Sequence, residues 1–233
     1  MSERTVSTAQ RGRMLASTIG KPVLFAVLMW LASAAGEISI PGTPVPITLQ
    51  TFVMMLAGLM LSWRQAGSAV VLYLAAGAAG LPVFAGGAST AALFGPSAGF
   101  LIGFLPAVIV TALLRGKARL DSAPHAALTA VRYFGASLAG NLVVLYLFGI
   151  TIQSMVMHVP FTTVAIASMG FVIGDVIKAV VASLLSQRTV LNSVCARISN
   201  IPAQTLIWKK PGIPGFFHIF CSFRTDAGSH LSY

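Results

Sequence analysis

The sequence predicts an all-α membrane protein, a bundle of six transmembrane helices, and three observations carry that prediction. First, only 9% of the 233 residues are charged and 56% are hydrophobic. An average soluble domain is about 25% charged, so this chain cannot clothe a globular surface in polar side chains. Second, six apolar stretches follow one another, at 22–40, 46–62, 66–84, 97–114, 126–150 and 162–186. Each has about 17–25 residues, enough to cross roughly 30 Å of hydrocarbon as a helix. None alternates polar and apolar residues as a membrane β-barrel strand does. Third, the basic residues alternate between the connections.

Four basic residues precede the first stretch (Arg4, Arg11, Arg13, Lys21), Arg64 follows the second, and Arg115, Lys117 and Arg119 follow the fourth. Five more lie beyond the sixth (Arg188, Arg197, Lys209, Lys210, Arg224), and the three intervening connections have none. This positive-inside pattern puts both termini and the two basic loops in the cytoplasm of a bacterial-type cell membrane. The expected organisation is a cytoplasmic segment at 1–21, a membrane domain at 22–187 and a cytoplasmic tail at 188–233. The net charge of +10 is therefore a matter of topology, and no basic stripe interleaved with aromatics points to nucleic acid. Residues 1–20 are polar and basic, without the apolar core of a signal peptide. Cys195 and Cys221 fall in the tail without metal-ligand spacing and read as reduced thiols.

Taken in order, the first stretch ends near Glu37, which opens the connection "GEISIPGTPVPIT" at 36–48. Pro41, Pro44 and Pro46 deny that connection helical structure. Ala32 and Gly36 lie four apart on stretch one, spacing that suits close packing in the bundle or against a partner. Gln50 and Thr51 stand one turn inside stretch two. Between stretches three and four runs "GLPVFAGGASTAALFGPSAGF" (80–100), uncharged and rich in small residues. Its backbone can approach a ligand closely, or it can form a lid or a re-entrant turn. Gly95, Gly99 and Gly103, with Gly170 and Gly174 in stretch six, have the four-residue spacing of close helix packing.

"GPSAG" (95–99) matches the Gly-x-Ser-x-Gly pattern of serine hydrolases, with Ser97 as nucleophile. No strand is expected before it, and no acid is placed to orient His158, the histidine expected on the same side. No Walker-type phosphate loop occurs, so any pumping draws on an ion gradient or on a partner. In stretch five, Arg132 lies near enough to the cytoplasmic end to snorkel.

Stretch six, "GFVIGDVIKAVVASLL", carries Asp175 and Lys178 within an apolar span. At a helix centre, insertion costs about 2.5–3.5 kcal/mol for one such residue. Spaced i and i+3, the two share a helix face and can neutralise each other. Two apolar residues would be cheaper still, so the pair points to a polar ligand site or a proton relay, with a structural ion pair as the plainer reading.

Together the segments "ISIPGTPVPITLQTF" (38–52), "LYLAAGAAGLPVFAGG" (72–87), "FGPSAGFLIGF" (94–104), "GNLVVLYLFG" (140–149) and "GDVIKA" (174–179) resemble the BioY family. These are the biotin-binding S components of energy-coupling-factor (ECF) transporters. The resemblance implies a six-helix bundle of the ECF S-component type that captures biotin from outside and needs no cofactor. Uptake would use a transmembrane coupling subunit and two cytoplasmic ATPases as partners. It implies, too, that Asp175 and Lys178 line the vitamin site. Asn141, Phe84, Gly86, Gly87, Gln50 and Tyr146 complete the candidate substrate-binding set; Phe84 and the two glycines would form an apolar and backbone wall. Two rival readings stand beside this one: an ion-coupled transporter or channel for another small solute with Asp175 as its protonatable group, and the hydrolase built on Ser97.

Overall fold

The computed structural model describes the backbone of residues 8–38, 43–118 and 123–199, and the side chains of 18–38, 43–118 and 124–189. Expectations for Pro41, Arg119, both cysteine side chains and the tail beyond residue 199 fall outside the described residues. Within the described residues six helices make up the fold: α1 (Thr8–Ala34), α2 (Gln50–Met60), α3 (Trp63–Ala78), α4 (Ala98–Leu114), α5 and α6 (Phe161–Ser199). Here α5 is one continuous helix, Ala123–Leu138, that widens into a π segment, Ala139–Leu145, and resumes as Tyr146–Met157. Among the described residues the sole β pairing is an isolated antiparallel bridge, Ile38 with Ile47.

The six stretches read from hydropathy each find their helix, with two differences that shape the site. Hydropathy predicts that stretch two crosses as a helix, but α2 has only eleven residues, about 16 Å at 1.5 Å per residue, or half the hydrocarbon thickness. The first four residues of stretch two, Pro46 to Leu49, are non-helical, as are Thr43 to Val45 before them, which include Pro44. Pro46 lacks an amide N–H to bond, and both rings clash with a preceding turn, so the helix starts only after them. Stretch three likewise stops at Ala78, and Gly80, at φ 93°, turns the chain. Two short 3-10 turns, Ala85–Gly87 and Thr90–Leu93, then fold across the same end of the bundle.

Two helices, Pro124–Met157 and Phe161–Thr189, are each long and apolar enough to cross a bilayer by themselves. The bundle's outer surface is apolar as well. Leu24 and Leu31 of α1, Val131, Val143 and Leu147 of α5, and Ile166, Ile173 and Ile177 of α6 are all exposed. A patch of that size on a water-soluble monomer would drive association, whereas facing acyl chains it costs nothing. Inside, Met29, Met54, Ala66, Val70, Phe104 and Val108 form a continuous apolar core.

Local chemistry fixes the ends. Ser62 and Gln65 form a reciprocal capping box that starts α3 directly after α2. Arg115, ending α4, donates to the carbonyl of Leu59 in the last turn of α2. Arg132 is exposed and reaches the carbonyl of Lys117, so its charge does leave the apolar span for the basic end of the bundle. The glycine seam joins α4 to α5. A methyl group on Gly99 would stand 2.7 Å from the Gly149 carbonyl oxygen, and one on Gly103 3.0 Å from the Leu145 and Phe148 side chains. Close packing holds for those two glycines but not for Gly174, which faces open space. Ala32 is buried in the bundle, whereas Gly36 meets nothing within 4 Å.

Candidate functional site

The non-helical stretch before α2 and the turns before α4 enclose, with α2, α4, α5 and α6, a cavity of about 320 Å³. Because α2 begins halfway through the bundle, its first turn stands level with the middle of α6. The two polar groups that hydropathy singled out meet it there.

Asp175 is buried and accepts three hydrogen bonds. Thr51 Oγ1 donates to Oδ1 over 3.1 Å, Lys178 Nζ to the same oxygen over 3.2 Å, and the Tyr146 hydroxyl to Oδ2 over 2.9 Å. Lys178 spends its other protons on the Thr48 carbonyl (2.7 Å) and on Thr51 Oγ1 (3.0 Å). The charges therefore neutralise each other inside a fully hydrogen-bonded group, the condition under which a buried pair is tolerated. Charge-assisted bonds of this kind are also roughly twice as strong as neutral ones.

Above this group the walls are aromatic. Phe100 meets Tyr146 and Phe171 edge-on, at centroid distances of 6.2 and 6.3 Å. Phe84 is buried on the opposite side, edge-on to Tyr73 at 5.4 Å. Its ring lies where a methyl group at Gly77 would collide with it. The Tyr73 hydroxyl donates to the Val83 carbonyl over 3.0 Å and accepts from the Gln50 side-chain amide. Gln50 in turn accepts from Thr48 Oγ1. One tyrosine thus ties the turn carrying Phe84 to the start of α2.

Of the eight candidate residues, Asp175, Lys178, Tyr146, Gln50, Phe84 and Gly86 line the cavity together. Gly86 and Gly87 both have left-handed backbones, at φ 66° and 73°, which glycine adopts without strain; Gly87 is not part of the lining. Neither is Asn141. It is fully buried in the π segment, and both polar atoms of its side chain lack a partner among the described residues. Ser97 lies on the cavity wall, but a 3-10 turn leads into it and no strand-to-helix elbow forms.

Sequence reasoning missed the Thr48 carbonyl, Tyr73, Phe100 and Phe171. It placed Gln50 and Thr51 one turn inside stretch two but named only Gln50 among the candidates. An available signal was the spacing of Thr48 and Thr51, which puts two oxygen-bearing residues one helical turn apart beside the proline-rich stretch.

The BioY family profile matches residues 5–194. Among curated relatives, the chain is 40% identical over 165 residues to "Biotin transporter BioY" of Rhizobium etli, covering 70% of this chain and 88% of that one. It is 34% identical over 164 residues to "Probable biotin transporter BioY" of Bacillus subtilis, covering 70% and 84%. Among solved structures, an "S-component for biotin from an ECF-type ABC transporter" superposes with a TM-score of 0.69 at 24% identity. That match covers 76% of this chain and 92% of the other, and it shows a common fold. The profile spans most of the chain and the bundle has the S-component architecture: this protein belongs to the BioY family.

Proposed function

We propose that this protein is the biotin-binding membrane subunit of a high-affinity vitamin-uptake system and that it carries out no chemistry of its own. The observation that carries the reading is the cavity, apolar along its walls and ending in the Asp175–Lys178–Thr51–Tyr146 group. Its volume of about 320 Å³ suits a small vitamin, at the lower end of the roughly 300–1,000 Å³ typical of small-molecule sites.

Biotin offers a ureido ring with two N–H donors and one carbonyl, an apolar thioether body and a valerate carboxylate. The ring is the better match to the polar end. Asp175 accepts from the ureido N–H groups, and Lys178 donates to the ureido carbonyl. A valerate carboxylate in that place would stand against the carboxylate of Asp175. The thioether and the alkyl tail then lie along Phe84, Phe100 and Phe171. The charge-poor connections face outward, the basic end and both termini face the cytoplasm, and a coupling subunit with two ATPases supplies the energy. The absence of a phosphate loop from the sequence supports that division of labour.

The test is equilibrium binding of labelled biotin to the purified protein in detergent, beside Asp175→Asn and Lys178→Met. Tight binding by the parent, weakened about a hundredfold or more in each variant, is expected, since loss of either leaves the other charge uncompensated at the polar end of the cavity. Tight binding that survives both substitutions would reduce the pair to a structural role. A folded parent that ignores biotin would overturn the assignment.

A further inference from the structure

Charge occurs at two places around the cavity. At the polar end Asp175 and Lys178 cancel. At the rim Glu37 stands alone, on the short stretch between α1 and the Ile38–Ile47 bridge. Its carboxylate oxygens lie 3.4 and 3.5 Å from where a methyl group on Gly86 would sit, so it reaches across the mouth to the turn carrying Phe84. No hydrogen bond or ion pair to the Glu37 side chain forms among the described residues. The connections at this end of the bundle, 36–48, 79–97 and 158–160, contain neither lysine nor arginine. Of the three charged residues that line the cavity, two neutralise each other, and the lining is left with one net negative charge at its mouth.

We propose that Glu37 is a specificity-determining residue, which disfavours ligands with a carboxylate tail and favours the same ring system joined by an amide to an uncharged or cationic group. The inference rests on the biotin reading above and on the ring lying at the polar end, which brings the tail toward the rim. Free biotin then carries its negative charge toward Glu37, whereas biotin amide-linked to one end of a diamine carries a positive one. Glu37 is exposed, so water and salt screen the interaction and the effect is moderate. The consequence is a cavity suited to uncharged and cationic amides of biotin as well as to the free acid.

The experiment measures affinities of the parent and of Glu37→Gln for three ligands: biotin, biotinamide, and biotin coupled to ethylenediamine. In Glu37→Gln, biotin is expected to bind about threefold to fivefold more tightly, biotinamide about equally, and the amine conjugate about threefold to fivefold more weakly, as for one exposed charge pair. The opposed shifts shrink in molar salt. A change that ignores the charge on the tail, or no change at all, would overturn the role of Glu37 while leaving biotin binding intact. A parent that binds none of the three ligands would sink the underlying reading and this one with it.

Discussion

Asp175 and Asn141 are both polar residues buried in membrane-crossing helices, and the bundle treats them in opposite ways. Asp175 accepts from three side chains drawn from α2, α5 and α6, and it lines the cavity. Asn141, fully buried within the π segment of α5, has no partner among the described residues for either polar side-chain atom and lies off the cavity. The difference teaches that polarity at depth gains its meaning from convergence. A lone amide can be a local accommodation in one helix, whereas a carboxylate on which three elements converge describes a site.

Substitutions can break or sharpen that contrast. Outside the Asp175–Lys178 pair itself, the greatest loss is expected from Tyr146→Phe. It removes one donor to an ionised acceptor and leaves the aromatic packing in place, so biotin should bind about tenfold more weakly by equilibrium titration. A smaller effect, about fivefold, is expected from Tyr73→Phe. The ring keeps its edge contact with Phe84, while the Gln50 amide and the Val83 carbonyl lose their common partner. Since Tyr73 acts through the turn that carries Phe84, its loss should appear as faster dissociation at an unchanged association rate in stopped-flow measurements. Asn141→Leu is expected to do least. Replacing an unpaired buried amide by an apolar group of similar size should leave affinity within about threefold and thermal stability unchanged or raised. A large loss of affinity in Asn141→Leu would erase the distinction and bring Asn141 into the site.

The sequence conveyed the six-helix bundle because lipid imposes it. With so few charges and six long apolar runs, no other arrangement satisfies the backbone. It also exposed Asp175 and Lys178, because a charge inside an apolar span is conspicuous. The rest was hidden for specific reasons. Hydropathy cannot tell a helix from an apolar stretch that lines a cavity, so residues 46–62 read as one span and the late start of α2 was lost. Thr51 and Tyr73 are common enough in membrane helices to signal nothing alone, and the carbonyl of Thr48 has no side-chain signature at all. Tyr146 lies five residues after Asn141, which in a regular α-helix places it well around the cylinder. In the π segment the Tyr146 amide bonds back to the Asn141 carbonyl, an i to i−5 step that changes the phase. Their relative facing therefore does not follow from the geometry of a regular helix.

The shortness of α2 has an electrical consequence. With the cavity reaching down to its first turn, the low-dielectric barrier between the two aqueous phases is thinnest along this helix, about 16 Å by its length. Its buried face, with Met54, Met55 and Leu59, is the seal. A transmembrane voltage falls mainly across that seal and only slightly across the hydrated mouth above it. On the proposed reading, a ligand whose ring reaches Asp175 and Lys178 keeps its charged tail at the rim, electrically close to the side from which it entered. Capture on that reading is then nearly indifferent to membrane potential.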